Sequence, residues 1–174
     1  MLVYADNTIV SFQPWSLLKR DNAGMDILGR MEKGSLRLRL DLGKGAFWHG
    51  DNGVLVMGLP DDPVQRTVYY SYTNMPTTGE LSFIDDSGGE TVLTVEGKSW
   101  FDRQWGPYRM LDARSSFWEW FSLRFFDNEE VMLFAFPQQS YQDGTYITEN
   151  GVSQRLLNYT YEPTDYVKVE DTCF

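Results

Sequence analysis

The segment Ser35-Leu36-Arg37-Leu38-Arg39-Leu40-Asp41-Leu42 alternates leucine with a polar or charged residue at every step. Successive side chains of an extended chain point to opposite faces, so this octet gathers its leucines on one face and its charges on the other. A helix would spread the same leucines around its circumference. The segment is a half-buried antiparallel strand. The same period marks Thr8–Gln13, Met25–Met31, Val54–Leu59, Thr67–Thr73, Gly79–Ile84 and Thr91–Glu96. It continues in Phe117–Phe126, Glu130–Phe136, Thr145–Thr148, Arg155–Tyr161 and Tyr166–Glu170. Turn chemistry separates these runs, as in Gly43-Lys44-Gly45, Asp51-Asn52-Gly53, Asp85-Asp86-Ser87-Gly88-Gly89, Asp127-Asn128 and Glu149-Asn150-Gly151. No stretch carries an amphipathic helix, and Ser16–Arg20 is the best place for a single helical turn. The pattern predicts an all-β chain, an antiparallel barrel or sandwich. Gly106–Ser115 interrupts it and divides the chain into regions 1–106 and 107–174, two parts that are also compatible with one β domain.

Bulk properties narrow the function. The chain has 174 residues, enough for a sizeable core, and 16% are aromatic. Its net charge of −10 argues against nucleic acid or an anionic membrane surface as a partner, because both need a basic patch. The single cysteine, Cys173, excludes an internal disulfide, and the single histidine, His49, excludes a His-rich metal site. No metal and no nucleotide or other cofactor is expected, since no phosphate loop, dinucleotide fingerprint or calcium loop is present. No apolar run approaches the roughly 18 residues of a membrane-spanning helix. No secretory signal is recognised at the start of the chain, and the compartment stays open.

The most unusual stretch is Gly97-Lys98-Ser99-Trp100-Phe101-Asp102-Arg103-Gln104-Trp105-Gly106. On an extended strand, Trp100, Asp102 and Gln104 share one face, and Phe101, Arg103 and Trp105 share the other. A carboxylate among aromatics must be paired, hydrated or protonated. The segment is either a specified structural corner or the floor of a pocket.

Its neighbours carry a resemblance. Phe47-Trp48-His49-Gly50-Asp51-Asn52-Gly53 precedes Tyr69-Tyr70-Ser71-Tyr72 and Gly79-Glu80-Leu81. Phe117-Trp118-Glu119-Trp120-Phe121-Ser122-Leu123 and Val131-Met132-Leu133-Phe134 follow the Trp/Asp segment. From about His49 to Gly151 this order resembles the AttH-like family, which includes carotenoid hydratases (hydroxyneurosporene synthases) and lipocalin-like proteins of natural-product biosynthesis. The resemblance implies antiparallel calycin (lipocalin-like) barrels packed in pairs, the Trp/Asp motif closing the first and the Trp-Glu-Trp strand opening the second. This chain then covers the later part of one barrel and the start of another, and unpaired sheet edges would invite a homodimer. Hydratases of the family carry a His-Asp-His-type run where this chain has Trp100-Phe101-Asp102-Arg103. The acid is kept and the histidines are not.

The resemblance also implies a hydrophobic small-molecule ligand, an isoprenoid or polyketide, and a hydration, isomerisation or cyclisation of a C=C bond. Asp102 would be the acid, Arg103 its orienter or a clamp on a ligand oxygen, and Glu119 a second acid. Trp100, Trp105, Trp118 and Trp120 would wall the pocket, with the π-faces of Trp100, Trp118 or Trp120 suited to a cation. Tyr70 and Tyr72 share a strand face and are candidate ligand contacts, and His49 is a candidate proton shuttle. Each has a structural counterpart: a turn cap or ion pair for Asp102, core packing for the aromatics, a hydrogen-bonded turn for His49. A non-catalytic lipophilic carrier and a shortened chain serving in an assembly are the alternatives to an enzyme.

Overall fold

The structure, a computed structural model, describes residues 9–12, 15–20, 24–108 and 117–165, with side chains from residue 24 onward. The expected strand Tyr166–Glu170, Cys173 and most of the Gly106–Ser115 junction lie outside the described residues. Two antiparallel sheets account for nearly everything described. The larger is built from β1 (Ile9–Phe12), β2 (Trp15–Arg20), β3 (Gly24–Met31), β4 (Gly34–Leu40), β5 (Phe47–Trp48), β6 (Val54–Val56), β7 (Arg66–Ile84) and β8 (Glu90–Trp105). The smaller is a meander of β9 (Glu119–Arg124), β10 (Glu130–Phe136), β11 (Tyr141–Ile147) and β12 (Ser153–Leu156). The chain is all-β, and no helix among the described residues is long and apolar enough to cross a membrane.

Residues 16–20, expected as a helical turn, are strand instead: Ser16 to Arg20 pair with Leu28 to Gly24. Cross-strand pairing to β3 overrides the weak local preference. Two further separations vanish. Thr67–Thr73 and Gly79–Ile84 are halves of the 19-residue β7, and Thr91–Glu96 runs without a break into the Trp/Asp segment as β8. The Asp85–Gly89 turn joins them, with the Asp85 carboxylate accepting hydrogen bonds from Ser87 N, Ser87 Oγ and Gly89 N.

β7 organises the larger sheet. Its first half pairs with β5 and β6 on one side, its second half with β4 on that same side, and β8 runs along the other. A bulge between Tyr72 and Met75 shifts the β7–β8 register. Pro76, which has no N–H to give a ladder, stands beside this irregularity.

Alternation gives β7 two working faces. One face joins Tyr69 to Leu55 and Met57, and these meet Met132, Phe134 and Phe136 of the smaller sheet in a shared core. The other gathers Tyr72 and Met75 with Met25 and Leu40, flanked by Ile27, Leu38, Leu42, Tyr70 and Phe101. The leucine stripe that identified β4 thus serves the second face.

A buried ion pair ties the sheets at one end. Lys44 Nζ lies 2.9 Å from Glu130 Oε2 and donates to the Thr148 carbonyl at 3.0 Å, while Asn74 Nδ2 donates to Glu130 Oε1 at 2.5 Å. In the smaller sheet, Arg155 pairs with the fully buried Asp143 at 2.5 Å.

Candidate active site

The cleft between the two sheets holds the Trp/Asp motif. Asp102 stands directly opposite Ser71 on β7, so the two side chains share a face. The Ser71 hydroxyl donates to Asp102 Oδ1, and Trp100 Nε1 donates to the same oxygen at 2.8 Å. Tyr69 lies two residues before Ser71 on that face, and its hydroxyl accepts from Trp120 Nε1 at 3.0 Å. Trp100 and Trp120 meet edge to face, with centroids 6.2 Å apart. Tyr69, Asp102, Gln104, Trp118, Trp120 and Phe134 line an open cleft of about 260 Å³. A neighbouring hollow of about 320 Å³ shares Gln104, Trp118 and Phe134, and extends to Met57, Thr67, Trp105 and Tyr108. Among the described residues, no lysine or arginine forms an ion pair with Asp102.

His49 is fully buried behind this wall. Its Nε2 is 2.7 Å from Ser71 Oγ and its Nδ1 is 2.8 Å from Thr145 Oγ1. Burial lowers its pKa to about 4, so the imidazole is neutral at physiological pH. Tyr69 is displaced the other way: burial first, then the charge of Asp102, hold the phenol in its protonated form, and its hydroxyl lies within the hydrogen-bonding surroundings of both Ser71 and Asp102. Its ring packs on His49 at 4.5 Å.

Asp102, Trp100, Trp118 and Trp120 come together in the cleft, and His49 is linked to Asp102 by hydrogen bonds through Ser71. The other expected residues are elsewhere. Arg103 lies on the opposite face of β8, with its guanidinium 5.5 Å from the Trp105 ring centroid, so it neither orients Asp102 nor faces the cleft. Tyr70 and Tyr72 pack together with Phe101 on that second face, and the Trp105 ring meets Tyr70 there while Trp105 also borders the hollow next to the cleft. Glu119 projects from the far side of β9, where Tyr161 donates to its Oε2 beside Phe121. It borders a separate hollow of about 380 Å³ with Phe121, Tyr161 and Glu162. The physical reason is common to all: strand neighbours point apart, so residues adjacent in sequence serve opposite faces.

Tyr69, Ser71 and Thr145 were not anticipated, and Gln104 was placed on the Asp102 face without a role. Alternation through Tyr69-Tyr70-Ser71-Tyr72 separates Tyr69 and Ser71 from Tyr70 and Tyr72. Only the cross-strand register to Asp102 shows which pair faces the motif. No group of three His, Cys, Asp or Glu side chains among the described residues is placed to hold a metal ion.

Two antiparallel sheets enclosing an aromatic cleft, with an anchored carboxylate in its wall, define a lipocalin-like β protein. The sequence profile of the AttH-like family matches residues 2–172, and the chain belongs to that family. Among solved structures it is similar to a putative AttH from Nitrosomonas europaea, with a TM-score of 0.67 and 19% identity, covering 82% of this chain and 43% of that one. It is also similar to kievitone hydratase from Nectria haematococca, with a TM-score of 0.65 and 19% identity, covering 88% of this chain and 47% of that one. The match therefore spans about half the length of either structure. No curated protein gives a significant match.

Proposed function

We propose that the chain binds a hydrophobic small molecule, an isoprenoid or polyketide, in the Asp102 cleft and adds water across one of its C=C bonds. One observation carries this reading: a carboxylate with one oxygen held by Ser71 and Trp100 borders an aromatic cleft, and no lysine or arginine among the described residues is ion-paired to it. In the reaction, protonated Asp102 gives its proton to one alkene carbon, and a cation develops on the other. The faces of Trp118 and Trp120 stabilise that cation. Water then bonds to the cationic carbon and returns a proton to the Asp102 carboxylate, which restores the acid and balances the addition. The similarity in fold to a hydratase supports this class of chemistry.

The test compares the intact protein with Asp102→Asn over a panel of prenylated and polyketide ligands. Turnover is expected to fall by about 100-fold or more in the variant, with ligand affinity kept within a few fold. Equal turnover in both proteins removes Asp102 from the chemistry. Binding without turnover in either one identifies a carrier.

A second copy of the chain is the proposed macromolecular partner. β8 is a 16-residue strand, and among the described strands it pairs only with β7, so its outer edge has no partner among the described residues. A two-fold axis through Gly97 would set Glu96 opposite Lys98 twice and Leu93 opposite Phe101 twice. Opposite charges and apolar pairs then coincide in one register. Lys98→Glu makes both charged pairs repulsive and is expected to weaken dimerisation about tenfold, as read by sedimentation. A wild type that sediments as a monomer at high concentration refutes the pairing.

A further inference from the structure

Behind Asp102 a buried line of polar groups leads away from the cleft, from Ser71 to His49 to Thr145. All three residues are buried, so their hydrogen bonds are made within the protein, along the line and with the Tyr69 phenol beside Ser71. The donors can be counted. Ser71 has one hydroxyl hydrogen, and Asp102 Oδ1, which also takes the Trp100 Nε1 hydrogen, is an acceptor whether Asp102 is ionised or carries its proton on Oδ2, so the hydrogen goes to Asp102 Oδ1. Ser71 Oγ must then accept from His49, which puts the imidazole proton on Nε2. Nδ1 is left as an acceptor and takes the Thr145 hydroxyl hydrogen, 2.8 Å away. One assignment satisfies every group with a neutral ring. The opposite tautomer would turn the Ser71 hydrogen toward His49 and set two oxygens, Oγ and Oδ1, against each other.

We infer that Ser71 and His49 are positioning residues that anchor Asp102 through Oδ1, together with Trp100, so that the proton exchanged with the ligand is carried on Oδ2, on the side of the carboxyl group not held by these two donors. The inference rests on the reading that Asp102 acts on a ligand in this cleft. His49 is no proton shuttle in this arrangement, because beyond it lies only the buried Thr145. Its task is to fix the direction of one hydroxyl. A carboxylate free to swing would spend less time in reactive geometry, and such misplacement costs turnover rather than binding.

The test uses Ser71→Ala, His49→Phe and His49→Gln. Glutamine keeps an N–H for Ser71 and a carbonyl for Thr145. Ser71→Ala and His49→Phe are expected to lower kcat by about 10- to 100-fold with ligand affinity unchanged, and His49→Gln to recover most of it. In an Asp102→Asn background, Ser71→Ala should cost nothing further. An equal loss in that background would mean a merely structural role and would overturn the inference. An unchanged kcat in Ser71→Ala overturns it too, and leaves the assignment of Asp102 standing. Nitrogen NMR of the ligand-free wild type supplies an arm independent of turnover. His49 is expected as the Nε2–H tautomer, and an Nδ1–H ring refutes the anchoring. If no ligand is turned over, the proposed chemistry fails while this measurement still decides how Asp102 is held.

Discussion

Acidification from pH 7 to pH 4 is expected to remove about 3 kcal/mol of folding stability through His49 alone. The ring sits at about 4 in the folded chain against an ordinary value of 6.5, because burial disfavours its charged form. The folded-state value is depressed, so the unfolded chain binds the proton first. The contribution is complete above 6.5 and drains away as the pH falls toward 4. Around the ring, Ser71, Thr145 and Tyr69 are neutral, and the nearest carboxylate, Asp102, lies beyond Ser71. The chain has one histidine, so proton uptake by the unfolded state between pH 6.5 and 5 belongs almost entirely to this residue. About 2 kcal/mol should be lost in that interval, before most carboxylates titrate. Urea midpoints at pH 7, 6 and 5 measure it, with His49→Gln as the reference. A wild-type midpoint that does not move, or moves as much in the variant, contradicts the assignment.

Lys44→Met is expected to destabilise the fold by about 3 to 5 kcal/mol. Glu130 is fully buried, and the variant strands its carboxylate with the Asn74 amide as the remaining side-chain donor. The reverse substitution should be milder. In Glu130→Gln the Lys44 ammonium keeps the Thr148 and Asn128 carbonyls, and its side chain, 16% exposed, retains access to water. Denaturant unfolding of the two single variants and the double variant gives the coupling. The ordering is the sharp part: the lysine variant must be clearly the less stable, and equal losses would mean that Glu130 is better solvated than its burial implies. The pair joins the Gly43–Gly45 turn to β10 and the end of β11, so its loss should loosen the sheet packing that shapes the cleft.

Much of the fold was legible in the alternation. The leucine stripe of β4, the period-two runs of β3 and β10, and the Asp/Asn/Gly turns each followed from one residue's preference and its neighbours'. Residues 16–20 failed because a short apolar run with a lysine and an arginine has no decisive period, and β3 determined its state. The site was legible in outline only. Trp100 and Asp102 were separable from Arg103 and Trp105 by parity, yet parity is silent on which face meets the second sheet. The carboxylate's partners, Ser71 and through it His49, come from positions 31 and 53 residues away in sequence, fixed by register and by the packing of β10 and β11. Tyr69 is the instructive omission: it differs from Tyr70 by one position and serves another core.

The bulge between Tyr72 and Met75 has a consequence for how this chain can change length. β7 presents Tyr69 and Ser71 to one core and Tyr70 and Tyr72 to the other. Losing one residue between Arg66 and Tyr72 would exchange these sets, carrying Ser71 away from Asp102 and driving phenols into its place. The two halves of the strand already differ by one register step across the bulge, so the ladder itself can absorb a length change there. Descendants of this sequence should therefore vary freely by substitution along β7 while gaining or losing residues only beside Thr73 and Asn74. The bulge is the strand's expansion joint.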